Sequence, residues 1–150
     1  MAITRRCVLL AILGVVPIAV WPEAATVRWW VLLLVVLVAL DVALASRPGM
    51  LHIVRSSPGQ VRLGERTETT LLVTNPSRRG VRGVLRDAWP PSAGALGAVH
   101  RLRVAPGERV RLTTTLVPTR RGDRVADRVT VRLTGPLGLA ARQASRPVPG

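Results

Sequence analysis

No lysine, tyrosine or phenylalanine occurs in the 150 residues, and cysteine occurs once. The lone Cys7 excludes an intrachain disulfide, which agrees with a reducing compartment. His52 and His100 are the only histidines, and with one thiol they make no ligand set at metal-binding spacing. Ser, His and Asp all occur, but no nucleophile-elbow motif or paired-carboxylate pattern organises them, and no Gly-rich phosphate loop opens a helix. The sequence therefore predicts no catalytic, cofactor or metal site. Acidic residues are scarce: 8 stand against 22 basic residues, all arginine, for a net charge of +14. From residue 48 onward the imbalance is 18 Arg to 6 Asp or Glu. Such an excess attracts anions, either nucleic acid or the anionic inner leaflet of a membrane. Single-stranded nucleic acid calls for stacking platforms, and beyond the apolar N-terminal segment Trp89 is the only aromatic apart from the histidines. Nucleic-acid binding then rests on charge alone and is the weaker expectation.

What is abundant is apolar, and it is concentrated at the front. Cys7 to Trp21 is an unbroken apolar run of 15 residues, about 22 Å of helix. Trp29 to Leu40, extended past Asp41 by Val42 to Ala45, makes a second run of 17 residues. Both lie near the short end of what crosses a hydrocarbon core about 30 Å thick. The link "PEAATVR" is tight and opens with Pro22. Trp21, Trp29 and Trp30 cluster around it, where an aromatic belt sets rings at one membrane interface. Residues 1–47 are expected to form a transmembrane α-hairpin. A cleaved signal peptide competes, with Arg5 and Arg6 as its charged start, but Pro22 and Glu23 spoil the cleavage site and a second apolar run follows at once.

Charge sets the orientation. Arg5, Arg6, Arg47 and Arg55 flank the outer ends of the pair, whereas the link carries Arg28 with Glu23 nearby. The positive-inside bias places both termini in the cytoplasm and makes the chain multi-pass. Arg5, Arg6, Trp21, Trp29, Trp30 and Arg47 are the expected interface anchors. Asp41 lies six residues before Arg47, within snorkelling reach of the inner interface. Cys7 reads as a small apolar filler at a position that also permits palmitoylation. Pro17 is placed to kink the first helix.

Beyond "SRPGM", whose Pro48 and Gly49 stop the second helix, the texture becomes that of short strands. Expected strands are Leu51 to Val54, Thr67 to Thr74, Val81 to Arg86, His100 to Val104, Arg109 to Val117, Asp127 to Thr134 and, more weakly, Leu139 to Ala144. Turn signals separate them: Ser56-Ser57-Pro58-Gly59, Asn75-Pro76, the loop "WPPSAGALG", and Ala105-Pro106-Gly107-Glu108 in a type II pattern. Val110, Leu112 and Leu116 alternate with Arg109, Arg111, Thr113 and Thr115. Val129, Val131 and Leu133 alternate likewise with Arg128, Thr130 and Arg132. About seven strands without intervening helices predict an all-β, immunoglobulin-like antiparallel sandwich over residues 48–150. "GERTETTLLVTNPSRRG" and "GERVRLTTTLVPTRRG" echo each other, as two equivalent hairpins would.

The order of these features carries a resemblance. Two short membrane helices, a small sandwich with Asn-Pro-Ser after a strand, then "PTRRGD" and "GPLGL" resemble the N-terminal region of the bacterial family called domain of unknown function 58. The matching positions are Arg120, Arg121 and Gly122, then Gly135, Pro136, Leu137, Gly138 and Leu139; the family often has Asp where Gly135 stands. The arginine-only composition looks like an actinobacterial member. The resemblance implies that "RPVPG" is a linker toward a missing von Willebrand factor type A-like domain, so the sandwich is expected to be truncated before it. It also implies work at the membrane with a MoxR-type AAA+ ATPase and other membrane partners. The chain is thus expected to be a non-enzymatic, cytoplasm-facing scaffold or interaction module on a lipid bilayer. An exported adhesion or surface-binding sandwich and a basic nucleic-acid-binding domain are the alternatives.

Overall fold

A computed structural model describes residues 2–56, 59–123, 125–126 and 128–148. The expected turn residues Ser57 and Pro58, the strand start at Asp127, and Pro149 and Gly150 of the expected linker lie outside the described residues. The chain divides into two compact units, Met1–Ser46 with Thr134–Arg142, and Arg47–Leu133 with Gln143–Gly150.

The first unit is helical. A two-residue strand β1 (Ala2–Ile3) precedes α1 (Arg5–Leu13), α2 (Val15–Val20) and α3 (Ala24–Leu44). The first apolar run is thus two helices, broken at Gly14, one turn ahead of Pro17. Proline lacks the N–H that would bond the Leu13 carbonyl, and its ring crowds that oxygen. Gly14 closes α1 instead with a tighter bond to the Ala11 carbonyl at 3.1 Å. Its lack of a side chain has a second use, since a methyl group there would overlap the indole of Trp30 on α3. At 21 residues, α3 is about 32 Å long. Of the stretch Ala24–Met50, long and apolar enough to cross a membrane, only 11% is buried.

The second unit is a β-sandwich. Its strands are β2 (His52–Ser56), β3 (Thr67–Thr74), β4 (Val81–Ala88), β5 (Ala95–Leu96), β6 (Val99–Val104), β7 (Arg109–Leu116), β8 (Arg128–Thr134) and β9 (Ala140–Arg146), of which Thr134 and Ala140–Arg142 belong to the first unit. With β1 at one edge they form two antiparallel sheets, one ordered β1-β9-β8-β4-β6 and the other β2-β3-β7-β5. The period-two residues meet as the alternation demands: Leu71 opposes Leu112 and Val73 opposes Val110, inward on both strands. Leu85, Leu102, Val129, Val131 and Leu133 supply the facing wall, each at most 2% exposed. The expected strands all form, with ends shifted by a few residues. The short β5 breaks the "WPPSAGALG" loop and pairs with the end of β7.

The turns follow their chemistry. Gly107 has φ +71°, and Glu108 donates its N–H to the Ala105 carbonyl at 3.2 Å, as the Pro106-Gly107 pair leads one to expect. Asn75 is 1% exposed and organises the neighbouring turn. Its amide donates to the carbonyls of Arg79, Val104 and Ala105, while its oxygen accepts from the N–H and hydroxyl of Ser77. Asn-Pro-Ser here is a structural knot.

Candidate functional site

In the helical unit the feature with most chemistry is Asp41. Its carboxylate is wholly buried and accepts three backbone N–H bonds, from Leu137 at 2.7 Å, Leu139 at 2.7 Å and Ala140 at 2.8 Å. It does not snorkel. An ionised carboxylate needs several donors to leave water, and the "GPLGLA" segment provides them by turning its amides inward. Gly138 bends that segment with φ +72° and donates to the Gly135 carbonyl. Arg142 donates to the Val42 carbonyl at 2.9 Å, satisfying one of the open carbonyls at the end of α3. The other side of the loop is held by Thr4, whose N–H and hydroxyl both donate to the Leu139 carbonyl at 3.0 Å. β1 then pairs with the last strand, Ala2 opposite Ala141 and Ile3 opposite Ala140.

The expected motif and anchor residues separate accordingly. Gly135 and Leu139 are buried, Pro136 and Leu137 face outward, and Gly138 is half-buried. Arg120, Arg121 and Gly122 occupy an exposed bend after β7, with Gly122 at φ +107°. Arg5, Arg6 and Arg47 are exposed, and Trp21 and Trp29 are 62% and 70% exposed. Trp30 differs from them: its indole N–H is buried without a partner among the described residues, beside Gly14. Cys7 is buried, a packing group.

The sandwich carries a second buried polar cluster. Arg55 and Asp87 form an ion pair at 2.6 Å, with side chains 1% and 0% exposed, and a second contact at 3.3 Å completes the fork. The indole N–H of Trp89 donates to the same carboxylate at 2.7 Å, and the Arg55 guanidinium lies 5.0 Å from the Trp89 ring centroid. The pair links the two sheets, since Arg55 is on β2 and Asp87 on β4. Arg55, expected among the charges flanking the helices, is instead neutralised inside the sandwich by Asp87. Trp89 is thus engaged at its N–H and on one ring face. Arg146 donates to the Leu51 carbonyl, and burial pushes its pKa below the ordinary value.

Strand parity carried a signal for this cluster. Arg55 shares its face of β2 with Ile53, and Asp87 shares its face of β4 with Val81 and Leu85. Both ionisable groups therefore stand on inward positions. His100 also points into the sandwich, with Nε2 2.9 Å from the Thr114 hydroxyl. Among the described residues no group of three or more His, Cys, Asp or Glu is placed to hold a metal. No protein-family model matches the chain, and no curated protein matches it.

Proposed function

We propose that the chain is a membrane-anchored, non-enzymatic scaffold or interaction module whose helices lie in a lipid bilayer and whose basic sandwich faces the cytoplasm. The carrying observation is the apolar surface of the helical unit. Along α3, Val31, Leu32, Leu33, Val35, Val36 and Leu40 are 45% to 56% exposed. A patch of that extent is costly in water and marks a membrane or protein contact. α1 and α2, with Val8, Leu9, Ile12, Val15 and Val16 equally open, are read as the first arm of a transmembrane hairpin with α3 as the second. The positive-inside bias of Arg5, Arg6 and Arg47 supports cytoplasmic termini and a multi-pass cell-membrane location.

The sandwich is read as immunoglobulin-like. The resemblance to the domain of unknown function 58 family rests on the order of Arg120–Gly122 and Gly135–Leu139. Through it a MoxR-type AAA+ ATPase is the proposed partner. Two measurements test the reading. The chain should stay with membranes in alkaline carbonate. Reporters fused after residue 150 should be active only where the cytoplasm permits. Extraction by carbonate, or a C-terminal reporter active only outside the cytoplasm, would overturn it.

A further inference from the structure

The two outward faces of the sandwich differ in charge. On the sheet containing β8, β4 and β6, the outward positions hold Arg82, Arg86, Arg101, Arg103, Arg128 and Arg132, and all six are exposed. The register brings them together. Arg82 stands opposite Arg103, and Val84 lies between Arg101 and Arg132 on its two neighbours. The grid covers about 10 Å by 20 Å at ordinary strand spacings. No acid faces outward on these three strands, because Asp87 is turned inward to Arg55. Arg86, Arg101, Arg103 and Arg132 make no ion pair among the described residues. The opposite sheet has only two outward arginines, Arg109 and Arg111, and carries an outward acid, Glu68, opposite Thr115.

Arg101 and Arg132 flank Val84 from either side and Arg103 follows on the same face, a concentration of positive charge that favours an anion shared among these guanidiniums. We infer that the arginine face of β8, β4 and β6 is a docking platform for anionic phospholipid headgroups. The inference rests on the membrane-anchor reading above. Three observations favour lipid over nucleic acid. No aromatic ring faces outward on these strands for bases to stack on. The gaps between arginines hold Val84 and Val99, 39% and 62% exposed, a mixture of guanidinium and apolar groups suited to an interface. A covalent tether to bilayer helices also keeps the local concentration of headgroups high.

The test uses the full chain with Cys7→Ala, spin-labelled at Val99→Cys on the arginine face or at Val54→Cys on the other sheet. It is reconstituted into vesicles of phosphatidylcholine alone or mixed with phosphatidylglycerol. Collision with a water-soluble nickel chelate is then measured. The label at 99 should be shielded in anionic vesicles only, and that at 54 in neither. Molar salt should expose it again, since the screening length falls to about 3 Å. Arg101→Gln, Arg103→Gln and Arg132→Gln together should weaken docking on the order of a hundredfold, about fivefold for each arginine. No shielding at 99, or equal shielding in both lipids, overturns the proposal. So does shielding by an oligonucleotide where anionic vesicles give none. Carbonate extraction of the same samples keeps the two ideas apart. Retention without shielding sinks the platform alone, whereas release from the vesicles sinks the anchor on which it rests.

Discussion

Gly135 lies so close to Asp41 that a methyl group in its place would overlap the Asp41 carboxylate. The absent side chain and the buried charge fit one another across 94 residues of sequence, 41 to 135. Three amides converge on that carboxylate, and the loop conformation that aims them admits no bulk at its first residue.

Asp41→Ala should leave the N–H groups of Leu137, Leu139 and Ala140 without their acceptor. Each stranded buried donor costs about 1–3 kcal/mol. Hydrogen exchange at those three amides should accelerate by at least about tenfold, the equivalent of 1.4 kcal/mol. Exchange at Val129 and Val131 in the sandwich core should change far less.

Gly135→Ala forces either the loop or α3 to move, and overpacking of this sort costs about 1–3 kcal/mol. Gly49→Ala is the matched control, because nothing lies within 4 Å of a methyl group there. Thermal unfolding in detergent should separate the two, with only the first substitution lowering the midpoint clearly.

Removing one member of the Arg55–Asp87 pair strands the other inside the sandwich. Arg55→Met or Asp87→Leu alone should destabilise by about 3–5 kcal/mol, while the double substitution should recover most of the loss. Denaturant titration of the three variants measures this as a cycle. Additive losses would mean that the two charges do not depend on one another.

Gly14→Ala should displace the Trp30 indole, because the added methyl and the ring compete for one space. A shifted tryptophan emission and a loss of about 1–3 kcal/mol are expected. Trp30→Ala in the same chain should relieve the second effect.

The strands were legible because period-two alternation survives in a single sequence, as with Val129, Val131 and Leu133 against Arg128, Thr130 and Arg132. The turns were legible where proline and glycine set φ, as at Pro106 and Gly107. The break at Gly14 was legible in Pro17, which withholds an N–H from the Leu13 carbonyl one turn back, but the Trp30 ring packed against Gly14 from another helix was not. The partners of Asp41 were not legible at all. An acid in an apolar run carries no mark of its ligands, and these are backbone amides, which every residue but proline possesses. The Arg55–Asp87 pair lay between these cases. Parity turned both groups inward, but their meeting depends on how β2 and β4 face across the core.

The helical unit is assembled from two stretches far apart in the chain, Met1–Ser46 and Thr134–Arg142. A ribosome adding about 5–20 residues per second finishes the first piece many seconds before the second exists. During that interval the Asp41 carboxylate has emerged without its amides. Other hydrogen-bond donors must serve it until the late segment arrives, so the timing of synthesis is built into how this unit completes itself.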